Sequence, residues 1–157
     1  MWTLCTTRWI TLTAVGTLIS FSTIAQDREK FINPEGLIKP TGYTHAVISG
    51  NTLYISGQVS VNEKGEVVGK GDLKAQVTRV YENLKICLQA AGATFDDIVK
   101  MNTYIVNYQP EQISILREVR ARYLSKEHPP ASTLVGVQAL VNPDYLIEIE
   151  AVVRLKK

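Results

Sequence analysis

A chain of 157 residues is long enough for one domain with a sizeable core and short for two. At a formal charge of +2, with no run of five basic residues, it lacks the electrostatic footprint of a nucleic-acid binder. Its apolar fraction of 45% is that of an ordinary globular protein, so composition alone names no activity.

Residues 1–25 differ from the rest. Arg8 supplies a positive start, Trp9 to Phe21 is apolar and uncharged, and Ser22-Thr23-Ile24-Ala25 places small residues where a signal peptidase cuts. This predicts a signal peptide removed after Ala25, a mature domain spanning 26–157, and a secreted or periplasmic protein. The competing reading is an uncleaved anchor, but the apolar run is shorter than the roughly 20 residues a span needs, so no membrane span is expected after cleavage. Cys5 leaves with the signal and Cys87 remains alone, which excludes an intrachain disulfide. Trp2 and Trp9 leave as well, and the mature protein then contains no tryptophan.

From Asp27 to Thr41 the chain is polar, with Pro34, Gly36 and Pro40, and reads as an extended lead-in with room for one short strand. Thr44–Ser49 and Thr52–Ser56 flank Gly50-Asn51, a turn that suits a β-hairpin, with Gly57-Gln58 ending its second strand. The Gly-, Lys- and Glu-rich segment Val61–Gly71 reads as a surface loop. Asp72 is a fitting N-cap for a helix with Leu73, Val77, Val80, Leu84, Cys87, Leu88 and Ala91 on one face, and Gly92 is its stop. Cys87 on that buried stripe reads as structural.

Ile98–Val106 predicts a strand with Val99, Met101, Thr103 and Ile105 facing one way and Lys100, Asn102, Tyr104 and Val106 the other. Pro110 suits the first turn of a second helix with Ile113, Leu116, Val119 and Tyr123 turned inward; Arg117, Glu118, Arg120 and Arg122 then form a solvated face. After Pro129-Pro130 come two β-rich runs, Ser132–Val137 and Ile147–Val153, on either side of an Asn142-Pro143-Asp144 turn, and they read as adjacent strands. In the last run Glu148 and Glu150 share the face opposite Ile147, Ile149 and Ala151.

The order of elements predicts an α+β sandwich: a mixed sheet of five or six strands with two helices on one face. The other sheet face, carrying Val106, Val152 and tyrosines, calls for cover by another subunit, so an oligomer is expected.

Four separated stretches carry a family resemblance: Gly42-Tyr43-Thr44-His45-Ala46-Val47, Gly50–Gln58, Leu88–Ala93 with Asp97–Lys100 after it, and Ile147–Val152. In this order they resemble the Rid family of reactive intermediate deaminases, also called the YjgF family, or endoribonuclease L-PSP in an older label. The resemblance implies a chorismate-mutase-like α+β fold, a homotrimer with small-molecule clefts between subunits, and no cofactor or metal. It also implies hydrolysis of enamines and imines, such as 2-iminobutanoate and 2-iminopropanoate, to 2-keto acids and ammonia.

By the same resemblance Glu148 is the catalytic acid that orients water, while Tyr43, Ser56, Gly57 and, in a less fixed register, Asn107 line the substrate cleft. The family's deaminating members carry an arginine in a Pro-Ala-Arg-Ser/Thr motif that grips the substrate carboxylate. Here the run is Pro130-Ala131-Ser132-Thr133, so Ser132, or Ala131 with the register slid by one, stands in that place and neither restores the charge. Two function classes follow: a RidA-like hydrolase acting on a small reactive intermediate, or a trimeric small-molecule binding protein without turnover. A ribonuclease or holdase role is a third class; the missing basic patch and histidine pair argue against RNA cleavage, since His45 reads as structural and His128 lies in a loop.

Overall fold

The computed structural model describes residues 28–156. The predicted signal peptide therefore lies outside the described residues. Six strands form one sheet: β1 (Lys30–Ile32), β2 (Ala46–Ser49), β3 (Thr52–Val59), β4 (Ile98–Val106), β5 (Ala131–Val137) and β6 (Ile147–Arg154). Their spatial order is β1-β2-β3-β6-β4-β5, and only the β4–β5 pair is parallel. Two α-helices among the described residues, α1 (Leu73–Ala90) and α2 (Ile113–Arg120), pack on one face of this mixed sheet, as the α+β reading requires.

The core lies between helices and sheet. Val77, Val80, Leu84 and Leu88 of α1 meet Leu53, Ile55, Met101, Ile105, Ile149 and Val153 of the central strands, all essentially inaccessible. Asp72 caps α1 by accepting from the Ala75 amide at 3.1 Å. Beyond the helix, Gly92 takes a φ of +71°, and the Ala93 amide reaches back to the Leu88 carbonyl at 2.9 Å, closing the end in a Schellman turn. Cys87 is fully buried on this stripe, and burial pushes its thiol up to about 12, so it is inert packing. Pro110–Gln112 forms a 3-10 turn ahead of α2 rather than its first α-turn, and Tyr123 falls just past the helix end, stacked on Tyr81.

Three expectations need correction. The two carboxy-terminal strands are not neighbours: β6 inserts between β3 and β4, and β5 lies outside β4. A parallel pair needs a crossover, and the β4–α2–β5 unit supplies one; the β5–β6 connection, residues 138–146, is too long for a tight hairpin. Val99 faces out and is 49% exposed, because a register shift between Ile98 and Lys100 turns Ile98 into the core in its place. The second hairpin strand does not end at Gly57-Gln58. It continues to Val59 through a bulge between Ile55 and Gln58, opposite Ala151 and Ile149 of β6.

The loop after β3 is better anchored than its composition suggests. Asn83 of α1 donates to the Val59 and Val61 carbonyls at 3.0 and 3.1 Å, and Arg79 donates to the Val61 carbonyl at 3.0 Å. Gln76, fully buried, works the same way at the entry to β6. Its amide donates to the Asp144 carbonyl at 2.7 Å while its oxygen accepts from the Leu146 amide at 2.9 Å. These bonds fix the chain two residues ahead of Glu148.

Candidate functional site

The alternation of β6 sends Ile147, Ile149, Ala151 and Val153 into the core and Glu148 and Glu150 to the face away from the helices. The two acids have different surroundings. Glu150 accepts from Asn102 Nδ2 at 2.7 Å and from the Tyr104 hydroxyl at 3.1 Å, both on neighbouring β4. Glu148 has no hydrogen-bond or ion-pair partner among the described residues, and it is half-buried. Loss of hydration, then the charge of Glu150, raises its carboxyl above the ordinary glutamate range. A raised, unpartnered carboxyl can hold a water and take or return its proton.

The bulge in β3 makes the seat for that carboxyl. Glu148 lies directly over Gly57, so closely that a β-carbon there would fall inside its side chain. Ser56, the other bulge residue, donates its hydroxyl to the Thr44 carbonyl at 2.6 Å. Behind the bulge, Gln58 donates to the Ser56 carbonyl at 2.9 Å and the Ser56 amide donates to the His45 carbonyl at 3.0 Å. His45 is buried, and its Nε2 lies 2.7 Å from the Ile38 carbonyl, which can only accept, so that nitrogen carries the proton. Its role is to brace the bulge.

Tyr43 leans edge-on against His45 with ring centroids 5.2 Å apart, and the residue is 46% exposed. Burial, then the neighbouring Tyr145, raises the Tyr43 phenol; burial, then the Glu148 charge, raises that of Tyr145. Tyr43, Tyr145 and Glu148 therefore form one electrostatic neighbourhood at one end of the sheet. Sequence reasoning passed over Tyr145 because it sits in the turn before β6, outside any periodic pattern. Asn107 follows β4 in a left-handed conformation, φ +48°, with its amide donating to the Val137 carbonyl at 2.9 Å. The adjoining Val106 amide bonds the Leu146 carbonyl at 3.0 Å, which places Asn107 at this same end.

Ala131 and Ser132 are not beside Glu148 within one chain. Both belong to β5, two strands from β6, and Ser132 registers with Met101, which faces Ala151 rather than Glu148. From strand spacing and rise, the backbones of Ser132 and Glu148 are roughly 14 Å apart. Their side chains also leave opposite faces. Ala131 shares the outer face with Lys100, whereas Ser132 lines a concavity of about 210 Å3 on the helix side, beneath Arg117 and Arg120 of α2. The outer face holds its own shallow concavity of about 270 Å3 along Ser56, Lys100, Asn102 and Glu150, where Lys100 bonds the Thr133 hydroxyl. No cluster of three metal-ligating side chains occurs among the described residues.

The family model described as endoribonuclease L-PSP matches residues 37–155. A RutC family protein of Pyrococcus horikoshii is 40% identical over 126 residues, 79% of this chain and 96% of the relative. The 2-iminobutanoate/2-iminopropanoate deaminase of Dermatophagoides farinae is 32% identical over 116 residues, 73% of this chain and 88% of that protein. The crystal structure of RidA from an Antarctic Psychrobacter species superposes with a TM-score of 0.71 at 32% identity, covering 82% of this chain and all of that one. With the family model matched over most of the described residues and a relative 40% identical over 96% of its own length, the chain belongs to the endoribonuclease L-PSP family, whose members include Rid and RutC proteins and named deaminases.

Proposed function

We propose that this protein hydrolyses a small enamine or imine to the corresponding carbonyl compound and ammonia, with Glu148 as the group that handles water. The observation that carries the reading is the half-buried, unpartnered Glu148 carboxyl resting over Gly57. A water held by Glu148 adds its oxygen to the imine carbon while the carboxylate takes one of its protons. Returning that proton to nitrogen gives the carbinolamine; its hydroxyl proton then passes through Glu148 to nitrogen as the C–N bond breaks and the C=O bond forms, so one imine and one water give one carbonyl and one ammonia. Glu150, held by Asn102 and Tyr104, keeps a second negative charge nearby that favours proton uptake by Glu148.

In this reading the site is completed between copies. The outer face bearing Tyr54, 51% exposed, with Val99 and Val152 is apolar enough to need cover, and a trimer that covers it brings one copy's β5 edge to the next copy's Glu148. Cleavage after Ala25 places the mature protein in the periplasm or outside the cell.

The second reading, a binding protein without turnover, is favoured by Ser132 standing in the position of the family's carboxylate-gripping arginine. An amino-acid oxidase generating 2-iminobutanoate in the presence of semicarbazide separates the two. The hydrolase reading expects the protein to suppress semicarbazone formation and release ammonia faster; unchanged semicarbazone with measurable keto-acid binding supports the binding protein.

A further inference from the structure

The missing arginine of β5 has a cationic counterpart one layer above it. Arg117 and Arg120 lie three residues apart on α2, so their side chains are neighbours, and both border the concavity that Ser132 also lines. Among the described residues neither guanidinium meets a carboxylate within ion-pair distance. The nearest acid on the helix, Glu118, is engaged by Lys74 at 2.8 Å and by Arg122 at 2.9 Å. Two like charges side by side repel, and an anion between them relieves that repulsion.

The rest of the concavity matches an organic anion rather than a bare ion. The Ser132 and Thr103 hydroxyls add polar contacts, and Met101 and Leu134 supply an apolar floor. Its volume of about 210 Å3 suits a ligand of a few carbons.

We propose that Arg117 and Arg120 form a relocated carboxylate clamp, taking over from α2 the task that Ser132 cannot perform, and that they select small 2-oxo or 2-imino acids with a short aliphatic tail. The inference rests on the hydrolase reading for its place in turnover, with the clamp of one copy serving Glu148 of the next. Guanidinium forks bind carboxylates in two parallel bonds, so each arginine contributes a directional contact. The serine leaves room that a β5 arginine would fill.

The test titrates 2-oxobutanoate and the neutral ketone butanone calorimetrically into the whole mature protein, its Arg117→Gln and Arg120→Gln variants, the double variant, and the double variant carrying Ser132→Arg. Both arginines are exposed, and circular dichroism melts confirm folding. Each single change is expected to weaken 2-oxobutanoate binding about tenfold and the double change about a hundredfold. Butanone binding stays put, and Ser132→Arg restores most of the loss, which a merely structural role for the helix would not allow. Wild type that ignores 2-oxobutanoate, or a double variant that binds it equally well, overturns the clamp. Arginine-dependent binding by a wild type that leaves 2-iminobutanoate intact supports the clamp and sinks the hydrolase reading. Hydrolysis with an unchanged KM in the double variant does the reverse.

Discussion

A β-carbon on Gly57 would lie 1.8 Å from Oε1 of Glu148, 2.6 Å from its Cδ and 2.9 Å from its Cγ. Every position along the end of that side chain is occupied at the expense of the residue opposite. The backbone of Gly57 is outside the left-handed region, so glycine is needed there for space and not for conformation. Gly57→Ala is therefore expected to fold with a melting temperature close to wild type while the carboxylate is pushed from its seat. A displacement of about an ångström can cost about a hundredfold in rate, so turnover should fall by that order with stability preserved. Parallel melts and imine-hydrolysis rates check it.

The raised Glu148 carboxyl carries a stability signature. Its folded-state pKa exceeds the ordinary value of 4.5, so between that pH and the higher folded value the unfolded chain has released a proton the folded chain retains. Stability falls as pH rises through this window, and the penalty is fully present above it. Glu148→Gln removes the titration. It should melt at or slightly above the wild-type temperature at neutral pH, with the difference vanishing below the ordinary glutamate range; thermal melts across pH 3 to 8 read both curves.

Gln76 is a joint between α1 and the turn entering β6. Gln76→Leu keeps much of the volume but strands the Leu146 amide and the Asp144 carbonyl. Leaving such groups unmet costs about 1 to 3 kcal/mol each. Loss of a few kcal/mol in urea unfolding is expected, together with faster amide exchange at Leu146.

If the outer sheet face is covered by further copies, a charge at its centre should expose it. Val152→Lys, opposite Tyr54 in the β3–β6 pair, is expected to convert the oligomer to monomer by light scattering and to abolish turnover together with assembly. A wild type that is monomeric at working concentration would remove the shared cleft.

Periodicity made most of the fold legible: the alternation in β4 and β6, the stripe on α1, the caps at Asp72 and Gly92. What it could not see were the places where regularity breaks. The bulge at Ser56-Gly57 and the shift at Ile98 each add a residue without changing composition, and the first of them creates the seat for Glu148. The β5–β6 adjacency was misleading because a turn signal at Asn142-Pro143-Asp144 says that the chain reverses and not which strand it returns to. In the site, Glu148 and Gly57 meet as expected, while Ser132 proved to face the helix side because its parity along β5 is fixed by β4. Arg117 and Arg120 are exposed, as a solvated face requires; that they also border a concavity shared with β5 is beyond what a helical pattern shows.

The central claim is that the Glu148 carboxyl does chemistry. Initial rates of 2-iminobutanoate hydrolysis by wild type and Glu148→Gln, matched for melting temperature and oligomeric state, address it most directly. The account predicts a fall of at least about a hundredfold, the scale of losing a general base. Equal rates would contradict it.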